Sequence, residues 1–489
     1  MARLSNRTLA DLPPGVAAPG YDRAALRPGI LHFGVGNFHR AHQAVYLDRL
    51  FNQGRDLDWA IVGAGVMPAD ERLRQALHGQ DWLTTVVEQS AGQSSARVTG
   101  PMIDMLPVGD AAAILASLAD PATRIVSLTV TEGGYFIDAK GRFDARHPAL
   151  AADAATPDRP RTVFGLIARG LARRRQRGVP PFTVMSCDNI PHNGVVTRSA
   201  VAGTARLLDP ALADWIEAEV AFPNGMVDRI TPATGDRERQ ILARDFGVED
   251  AWPVFCEDFA QWVLEDRFAL GRPGLEHVGV QFTADVAPYE MMKIRMLNGG
   301  HAVIAYPAGL LDIHFVHEAM QHPLIAAFLR KIERDEIIPV VPPPPDTDLH
   351  DYLGLIEQRF ANPKIGDTVR RLCLDGSNRQ PKFIVPSIAD RLAAGAPVSG
   401  LALESALWCR YCWGETESGA LIEPNDPDWD RLVETARAAR HDPARWLDQA
   451  HIYGEVGRAE PFRTAFAGAL EALWSDGTEA VLKRYLAGG

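Results

Sequence analysis

Short apolar runs alternate with helical patterns over the first half of the chain. Six segments consist almost entirely of apolar and β-branched residues, as strands buried on both faces of a sheet do: residues 30–33, 59–62, 124–130, 182–185, 226–228 and 278–282. The stretches between them are long enough for helices, and this alternation is typical of a parallel sheet covered by helices. We therefore predict an α/β domain over residues 1–285.

The pattern changes beyond about residue 285. Apolar residues recur there at helical spacing, which predicts helices over residues 293–311, 323–335, 349–360, 397–413 and 461–486. A chain of 489 residues also exceeds what one hydrophobic core usually supports. We predict a second, mainly α-helical domain over residues 286–489.

Composition narrows the class of protein. Hydrophobic residues make up 46% of the chain and charged residues 23%, as in an ordinary soluble enzyme. The first residues lack the apolar stretch of a signal peptide, and no apolar run reaches the ~18 residues that span a bilayer, so we expect a cytoplasmic protein without membrane contact. The net charge of -12 disfavours nucleic acid as a partner.

The cysteines indicate neither a disulfide framework nor a zinc site. There are five, and Cys409 and Cys412 form the single Cys-x-x-Cys, inside a stretch that is typical of a buried helix. A zinc knuckle needs a second ligand pair nearby, and the sequence shows none. We expect reduced thiols and no bound metal.

A glycine-rich turn, Gly34-Val-Gly-Asn-Phe-His-Arg-Ala-His42, follows the first predicted strand. A Rossmann-type domain binds the pyrophosphate of a dinucleotide at this place: Gly34 permits the tight turn, and Gly36 lets the backbone approach the phosphates. His39 stands where the usual motif has its third glycine, so the match is incomplete. Arg40 adds a cation in the first helical turn; the alternative is a solvated surface arginine.

A carboxylate follows the second predicted strand. Asp70 can accept the ribose hydroxyls of adenosine and would repel a 2′-phosphate, which favours NAD over NADP, although Arg72 and Arg74 keep NADP open. The alternative is that Asp70 is only a helix N-cap. The predicted cofactor-binding residues are Gly34, Val35, Gly36, Asn37, Phe38, Arg40 and Asp70.

The segment Lys293-Ile-Arg-Met-Leu-Asn-Gly-Gly-His301 places a candidate catalytic set on one predicted helix. At about 100° per residue, Asn298 lies about 140° from Lys293 around the axis, and His301 about 80°. Alcohol oxidation needs a base for the hydroxyl proton and donors to the developing carbonyl oxygen. Lys293 suits the first need, and Asn298 suits the second together with Asn189 in the polar loop after residues 182–185. The alternative is a solvated lysine, a helix-bending asparagine and a core histidine.

A lysine with its ordinary pKa of about 10.4 is protonated at neutral pH and is a poor base. Such a site must lower the pKa by desolvation and nearby cations, for which Arg371, Arg295 and a protonated His301 are the candidates. The sequence shows no cluster of His, Cys and Glu at zinc-ligand spacing. We therefore expect the lysine to act without a metal.

Several blocks, in order along the chain, resemble the polyol-specific long-chain dehydrogenase/reductase family, the mannitol dehydrogenases. They are Gly34 to His42, Thr131-Glu-Gly-Gly-Tyr135, Ser186-Cys-Asp-Asn189, Phe222-Pro-Asn-Gly-Met-Val-Asp-Arg-Ile-Thr-Pro232, Lys293 to His301 and Pro381-Lys-Phe383. The resemblance implies a Rossmann-type N-terminal domain, a mainly helical C-terminal domain, a cleft between them and no metal. It also implies a monomer or small homo-oligomer.

The resemblance also implies roles for individual residues. It makes Lys293 the general base, and Asn189 and Asn298 the amides that bind the substrate oxygen. The remaining roles are His301, Arg371 and Lys382 as substrate-binding residues, Asp228 as a polar residue that supports the substrate site, and Glu132 and Glu290 as carboxylates on the proton's path to solvent.

The implied reaction is the interconversion of D-mannitol and D-fructose, and D-arabinitol, sorbitol and D-fructuronate are the alternative substrates. Two departures put the substrate in doubt, but not the reaction: Gly300 stands where serine is common, and Arg295-Met296 resembles a hexuronate-reductase branch. A third departure is Asn37, which replaces a frequent glycine in the turn after the first strand. Residues 192–194, 315–318 and 381–383 side with the mannitol branch. A regulator that binds NAD without chemistry is a further alternative, against which the retained lysine and asparagines argue.

Overall fold

The structure of the protein, a computed structural model, describes residues 2–137 and 142–488. The chain divides into two compact units, Met1–Val286 and Ala287–Gly489. The boundary that the sequence predicts, after residue 285, differs from this division by one residue.

The N-terminal unit contains strands that form several sheets. In chain order they are β1 (Ala2–Arg3), β2 (Val16–Ala17), β3 (Pro28–Phe33), β4 (Ala60–Ala64), β5 (Thr84–Gln89), β6 (Ser94–Thr99), β7 (Met102–Met105), β8 (Ile125–Leu128), β9 (Thr183–Ser186), β10 (Gly225–Asp228), β11 (Val248–Glu249), β12 (Val254–Glu257), β13 (Gln261–Glu265) and β14 (Gln281–Thr283).

The central sheet is parallel and has the order β7-β4-β3-β8-β9. Leu31 of β3 lies between Val62 of β4 and Val126 of β8. The chain leaves one side of β3 after β7 and continues on the other side with β8, so the strand order reverses beside β3. Ligands bind at such a reversal, outside the carboxyl ends of the strands. The Rossmann-type fold predicted for this half is confirmed.

The N-terminal unit also contains helices, and local sequence explains where some of them begin and end. They are α1 (Asn37–Ala41), α2 (Gln43–Phe51), α3 (Asp70–His78), α4 (Ala111–Ala119), α5 (Pro148–Ala155), α6 (Val163–Arg177), α7 (Asn193–Leu208), α8 (Pro210–Glu219) and α9 (Asp236–Phe246). In α6 the Thr162 side chain caps the first turn by accepting from the Gly165 N–H, and Gly178, at φ +67°, ends the helix. Its apolar face, including Leu166 and Leu171, packs into the core beneath the sheet.

A second sheet, in the order β12-β5-β6-β2, lies in the same unit. Strands β5 and β6 form an antiparallel hairpin, and β12 pairs in parallel with β5. Long apolar runs do not predict this hairpin, because polar residues such as Thr84, Thr85 and Arg97 interrupt both strands.

The C-terminal unit is helical, as predicted. Its helices are α10 (Ala287–Met292), α11 (Gly299–Leu310), α12 (Val316–Gln321), α13 (Pro323–Ile332), α14 (Leu349–Phe360), α15 (Val369–Leu372), α16 (Gly376–Phe383), α17 (Val385–Ala393), α18 (Ser399–Tyr411), α19 (Trp429–Ala439), α20 (Ala444–Leu447), α21 (Ala450–Tyr453), α22 (Glu460–Asp476) and α23 (Thr478–Leu486). One large apolar core joins them. The predicted helix 461–486 is two helices, broken at Gly477, whose φ is +81°.

Two segments of this unit are π-helices, Lys293–Asn298 between α10 and α11, and Glu333–Ile337 after α13. The predicted helices 293–311 and 323–335 thus have a wider turn at one end. Hydropathy does not predict a π-helix, because it differs from an α-helix in hydrogen bonding and not in the kinds of residues that it buries.

In the part of the chain that the structure describes, no helix is both long and apolar enough to cross a membrane.

Candidate active site

The turn after β3 has the geometry that the sequence predicts. Gly34 has φ +91°, and a Cβ there would lie 2.1 Å from the Thr129 carbonyl oxygen. Gly36 is the exposed N-cap of α1, and a Cβ there would meet only the Gly34 oxygen, at 3.7 Å. The backbone at Gly36 is therefore open to a ligand, and this cradle fits the pyrophosphate of a dinucleotide.

Arg40 is buried against this turn. Its Nε donates to the Gly36 carbonyl oxygen at 3.2 Å, and its Nη2 donates to Asn37 Oδ1 at 2.7 Å. Its Nη1 donates to the Trp252 carbonyl oxygen. The alternative of a solvated arginine is wrong. Burial lowers the pKa of Arg40 to about 10, so the guanidinium stays cationic at neutral pH and holds the shape of the cradle. Direct contact with a phosphate stays a prediction.

The other predicted cofactor-binding residues of the turn have different surroundings. Asn37 Nδ2 donates to the Pro232 carbonyl oxygen and to Thr234 Oγ1, both at 3.3 Å. Val35 is buried, and the ring of Phe38 stacks on that of His42 with centroids 4.9 Å apart. Val35 and Phe38 therefore pack the turn against the unit, and their contact with a cofactor stays a prediction.

Two buried histidines that the sequence analysis does not assign lie at this turn. The rings of His32 and His39 stack with centroids 3.5 Å apart. His32 Nδ1 lies 2.8 Å from Ser127 Oγ, and its Nε2 lies 3.0 Å from Thr129 Oγ1. Burial lowers the pKa of His32 to about 3, so its ring is neutral. The sequence indicates this histidine pair only through His39, a large side chain at the position where the usual motif has its third glycine.

Asp70 is the first residue of α3, and the N-cap is Ala69, so Asp70 does not cap the helix as the alternative proposed. Its Oδ2 accepts from the Met67 N–H at 3.0 Å. A Cβ on Gly65 would lie 2.8 Å from this carboxylate, so the glycine makes room for it just after β4. Binding of a ribose by Asp70 stays a prediction.

Three further predicted residues follow strands of the N-terminal unit. Asn189 lies exposed after β9, and Asp228 is buried at the end of β10. Glu132 begins the 3-10 turn Glu132–Tyr135 after β8, and its side chain lies outside what the structure describes. Because β8 and β9 are parallel neighbours, the loops that carry Glu132 and Asn189 lie at one edge of the sheet.

Lys293 and Asn298 are the first and last residues of a π-helix, and His301 follows in α11. A π-helix bonds each N–H five residues back and takes about 4.4 residues per turn, so Asn298 lies only about 50° from Lys293 around the axis. The separation of about 140° predicted for an α-helix is therefore wrong. His301, three residues on in α-helical geometry, returns to within about 10° of Lys293.

Lys293 and Glu290 are both buried, each with 7% of the residue exposed. Glu290 precedes Lys293 by three residues in α10, a spacing that places the two side chains on the same side of the helix. A carboxylate beside the amine suits the proton path that the sequence predicts, and that role stays a prediction.

His301 is neutral in this structure. Its ring stacks on Phe360 with centroids 4.2 Å apart. Burial lowers the pKa of His301 well below its usual range, and the nearby cations Arg371, Arg359 and Arg379 lower it further. The expectation of a protonated His301 is therefore wrong. Its buried Nε2 has no hydrogen-bond partner among the described residues, which leaves it available to a ligand hydroxyl.

The predicted cationic residues of this unit have carboxylate partners or lie exposed. Arg295 donates to Asp390 Oδ2 at 2.5 Å, and Arg371 Nε donates to Asp367 Oδ1 at 2.5 Å. Each carboxylate offsets part of the positive charge by which the prediction expected its arginine to lower the pKa of Lys293. Lys382 lies exposed on α16.

The remaining candidates for a binding or redox site are metal-ligating side chains and cysteines. Among residues 2–137 and 142–488, no three His, Cys, Asp or Glu side chains are grouped as ligands for a metal ion. The five cysteines are buried and unpaired with one another, and Cys409 and Cys412 lie in and just after α18, as the sequence predicts.

Comparison with protein families gives matches over most of the chain. The mannitol dehydrogenase Rossmann domain matches residues 28–277, and the mannitol dehydrogenase C-terminal domain matches residues 285–474.

Curated relatives cover nearly the full length. A mannitol 2-dehydrogenase of Cereibacter sphaeroides is 62% identical over 473 residues, which span 96% of this chain and 99% of that protein. A mannitol 2-dehydrogenase of Aspergillus clavatus is 42% identical over 480 residues, 96% of each chain.

Solved structures agree in fold. The ternary complex of Pseudomonas fluorescens mannitol 2-dehydrogenase with NAD and D-mannitol has a TM-score of 0.89 and 44% identity, over 100% of both chains. A substrate-free D-sorbitol dehydrogenase has a TM-score of 0.92 and 36% identity, over 98% of this chain and 100% of that one.

Proposed function

Because the chain belongs to the mannitol dehydrogenase family, we propose that it is an NAD-dependent polyol dehydrogenase that interconverts D-mannitol and D-fructose. Full-length relatives named mannitol 2-dehydrogenase support the substrate, and a structural neighbour that holds NAD and D-mannitol supports the cofactor. The observation that supports the chemistry most directly is the π-helix Lys293–Asn298, because its wider turn favours Lys293, Asn298 and His301 on one face.

The reaction removes a hydride and a proton from one secondary alcohol, and bound NAD supplies the hydride acceptor. Lys293, in its neutral form, accepts the hydroxyl proton as general base. The side-chain amides of Asn298 and Asn189 donate hydrogen bonds to the oxygen as it becomes a carbonyl. A buried amine suits this role because loss of solvent disfavours the ammonium form.

The remaining hydroxyls of the sugar chain need polar partners. The unpartnered Nε2 of neutral His301 suits one hydroxyl, and Arg371 and Lys382 supply further donors. Asp228 supports the substrate site, and Glu290, with Glu132, passes the proton from Lys293 to solvent. In the proposal, the proton passes from the substrate hydroxyl to the Lys293 amine and then to a carboxylate. This proton transfer replaces the metal that other alcohol dehydrogenases use.

A substrate panel tests the proposal. D-mannitol, D-arabinitol and sorbitol are oxidised with NAD and with NADP, and D-fructose and D-fructuronate are reduced with NADH. We expect D-mannitol with NAD to give the highest kcat/KM, by at least about 10-fold over NADP, because a carboxylate at Asp70 repels the 2′-phosphate. A preference for D-fructuronate, whose carboxylate needs an extra cation, would reject the assigned substrate.

Sorbitol is the second candidate, because the sorbitol dehydrogenase structure has the same fold over the whole chain. Oxidation of either polyol at C2 gives D-fructose, and the two differ only in configuration at that carbon. A higher kcat/KM for sorbitol than for D-mannitol in the same panel would select it.

We further propose a cytoplasmic location and a monomer or small homo-oligomer. Cell fractionation tests the first, and light scattering of the purified protein tests the second.

A further inference from the structure

The carboxylate of Asp188 ties together two loops at the edge of the central sheet. Its Oδ1 accepts from the Thr131 N–H at 2.9 Å, and its Oδ2 accepts from the Val130 N–H at 3.0 Å. The same Oδ2 accepts from the Tyr135 hydroxyl at 2.7 Å. Asp188 follows β9, whereas Val130, Thr131 and Tyr135 follow β8, so one side chain connects the two strand ends.

Tyr135 extends this contact into the core. The residue is fully buried, and its hydroxyl oxygen lies 2.6 Å from Ser186 Oγ, which also accepts from the Asp188 N–H at 3.2 Å. Burial, and then the charge of Asp188, raises the pKa of Tyr135 well above its usual range, so the phenol keeps its proton as a donor. The Asp188 carboxylate is thus bonded to a fully buried side chain as well as to the backbone after β8.

Thr131 has an unfavourable backbone conformation at this point. Its φ is +64° and its ψ is 164°, in a region that is essentially restricted to glycine. A β-branched residue is strained there and persists only where its surroundings hold it. The hydrogen bonds from Val130 and Thr131 to Asp188 supply that hold. Asp188 therefore maintains a turn that the chain alone does not favour.

Asn193 makes a second connection, from the loop after β9 to strand β10. Asn193 Nδ2 donates to the Asp188 carbonyl oxygen at 3.1 Å and to the Gly225 carbonyl oxygen at 2.7 Å. Asn193 Oδ1 accepts from the Gly225 N–H at 2.9 Å. The loop after β9 is thereby attached to β10, the strand that ends at Asp228.

The loops after β8 and β9, which Asp188 connects, carry residues to which the proposed reaction assigns roles. Asn189 directly follows Asp188, and Glu132 directly follows the strained Thr131. We infer that Asp188 is a positioning residue, which sets the backbone of the oxygen-binding Asn189 and of the proton-path Glu132 without touching substrate. This inference rests on the proposed function.

The test replaces Asp188 by asparagine, which is nearly isosteric but presents an NH2 group to one set of donors. We expect Asp188→Asn to lower kcat about 10- to 100-fold, because small displacements of an oxyanion donor have such effects. The KM for the polyol and the Kd for NADH should stay within threefold, since substrate and cofactor ligands are untouched. Asp209→Asn is the matched control: Asp209 also accepts a backbone N–H, at the start of α8, and its change should leave kcat unaltered.

A rescue experiment distinguishes positioning from general support of the fold. Glycine adopts φ +64° without penalty. Thr131→Gly in the Asp188→Asn background should therefore raise kcat at least threefold above that of Asp188→Asn alone. A kcat within twofold of wild type in Asp188→Asn would overturn the inference. The inference would also be overturned if kcat fell, KM rose and NADH affinity fell by the same factor. A double variant with no recovery of kcat would overturn it as well.

A second variant covers the case in which Asp188→Asn does not fold. Tyr135→Phe removes a single donor to Asp188 and should lower kcat about threefold, with hydrogen exchange increased at residues 130–135; unchanged exchange would overturn the inference. The assays use whichever polyol the wild type oxidises. A wild type that oxidises none defeats the proposed function. Hydrogen exchange at residues 130–135 then still tests whether Asp188 and Tyr135 hold this turn.

Discussion

At the scale of single residues, Gly34 and Gly36 differ in what a side chain would meet. Gly34→Ala places a Cβ against the Thr129 backbone in a strained conformation, whereas Gly36→Ala adds a methyl group only to the open cradle. We expect Gly36→Ala to weaken NADH binding at least about 10-fold without changing Tm, because the methyl group occupies phosphate space. Gly34→Ala should lower Tm. Fluorescence titration and thermal unfolding measure the two, and unaltered NADH affinity in Gly36→Ala would contradict the cradle.

Gly300 lies beside a buried carboxyl group without a partner. Neither oxygen of Glu333 has a hydrogen-bond partner in the described residues, and a Cβ on Gly300 would lie 3.2 Å from Glu333 Oε1. A serine there can donate to that oxygen. Helix propensity favours alanine over serine, but a hydrogen bond to a buried orphan group contributes about 1 kcal/mol.

We therefore predict that Gly300→Ser is more stable than Gly300→Ala. Urea unfolding of the two variants, followed by circular dichroism, measures the difference. A serine variant at or below the alanine variant would mean that Glu333 gains nothing from the new hydroxyl.

Residue chemistry was only partly predictable from the sequence. The conformation of Gly34 follows from its place in the motif, since only glycine adopts that φ without strain. The neutrality of His301 does not, because it depends on burial and on Arg359 and Arg379, which are far away in the chain. Asp188 lies in a recognised motif, but its partners are identified only by the fold.

At the scale of elements, the central sheet was predictable and the π-helix was not. The buried strands β3, β4, β8 and β9 consist of apolar runs, which have few interpretations other than a covered parallel sheet. Between α10 and α11, an α-helix and a π-helix bury the same kinds of residues, so hydropathy cannot tell which turn positions Asn298 relative to Lys293. The hairpin of β5 and β6 was missed because polar residues interrupt the apolar runs of both strands.

Helix α18 contains a buried carboxyl group that makes stability depend on pH. Glu404 is 0% exposed, accepts from Gln380 Nε2 at 2.6 Å, and has its pKa raised by burial to about 8. The unfolded chain releases this proton near pH 4.3, so the folded state holds it more tightly. Its stabilising contribution is complete below about pH 4.3 and is lost as the pH rises to about 8.

We expect Glu404→Gln to unfold near the wild-type Tm at pH 5 and above it at pH 8, because glutamine needs no proton. Glu434→Gln, an exposed change on α19, is the control and should follow the wild type at both values. Thermal unfolding across this range measures the divergence, and parallel curves for Glu404→Gln would refute the pH dependence.

At the scale of the whole molecule, the chain combines a Rossmann-type unit and a helical unit, and a dehydrogenase that relies on a lysine base needs no further component but NAD and substrate. We therefore expect incubation with EDTA, followed by its removal, to leave kcat unchanged within about 20%, in contrast to zinc alcohol dehydrogenases, whose metal polarises the substrate. Steady-state assays before and after chelation measure this. Loss of activity that zinc restores would show a metal in the reaction.

The central claim is that the Lys293 amine takes the proton from the substrate hydroxyl. The most direct measurement compares kcat and NADH affinity in Lys293→Ala, with Lys483→Ala, an exposed lysine of α23, as control. The account predicts a loss in kcat of about 10²- to 10⁴-fold, with NADH affinity within twofold of wild type and partial recovery by added methylamine. Turnover by Lys293→Ala within a few-fold of the wild type would contradict it.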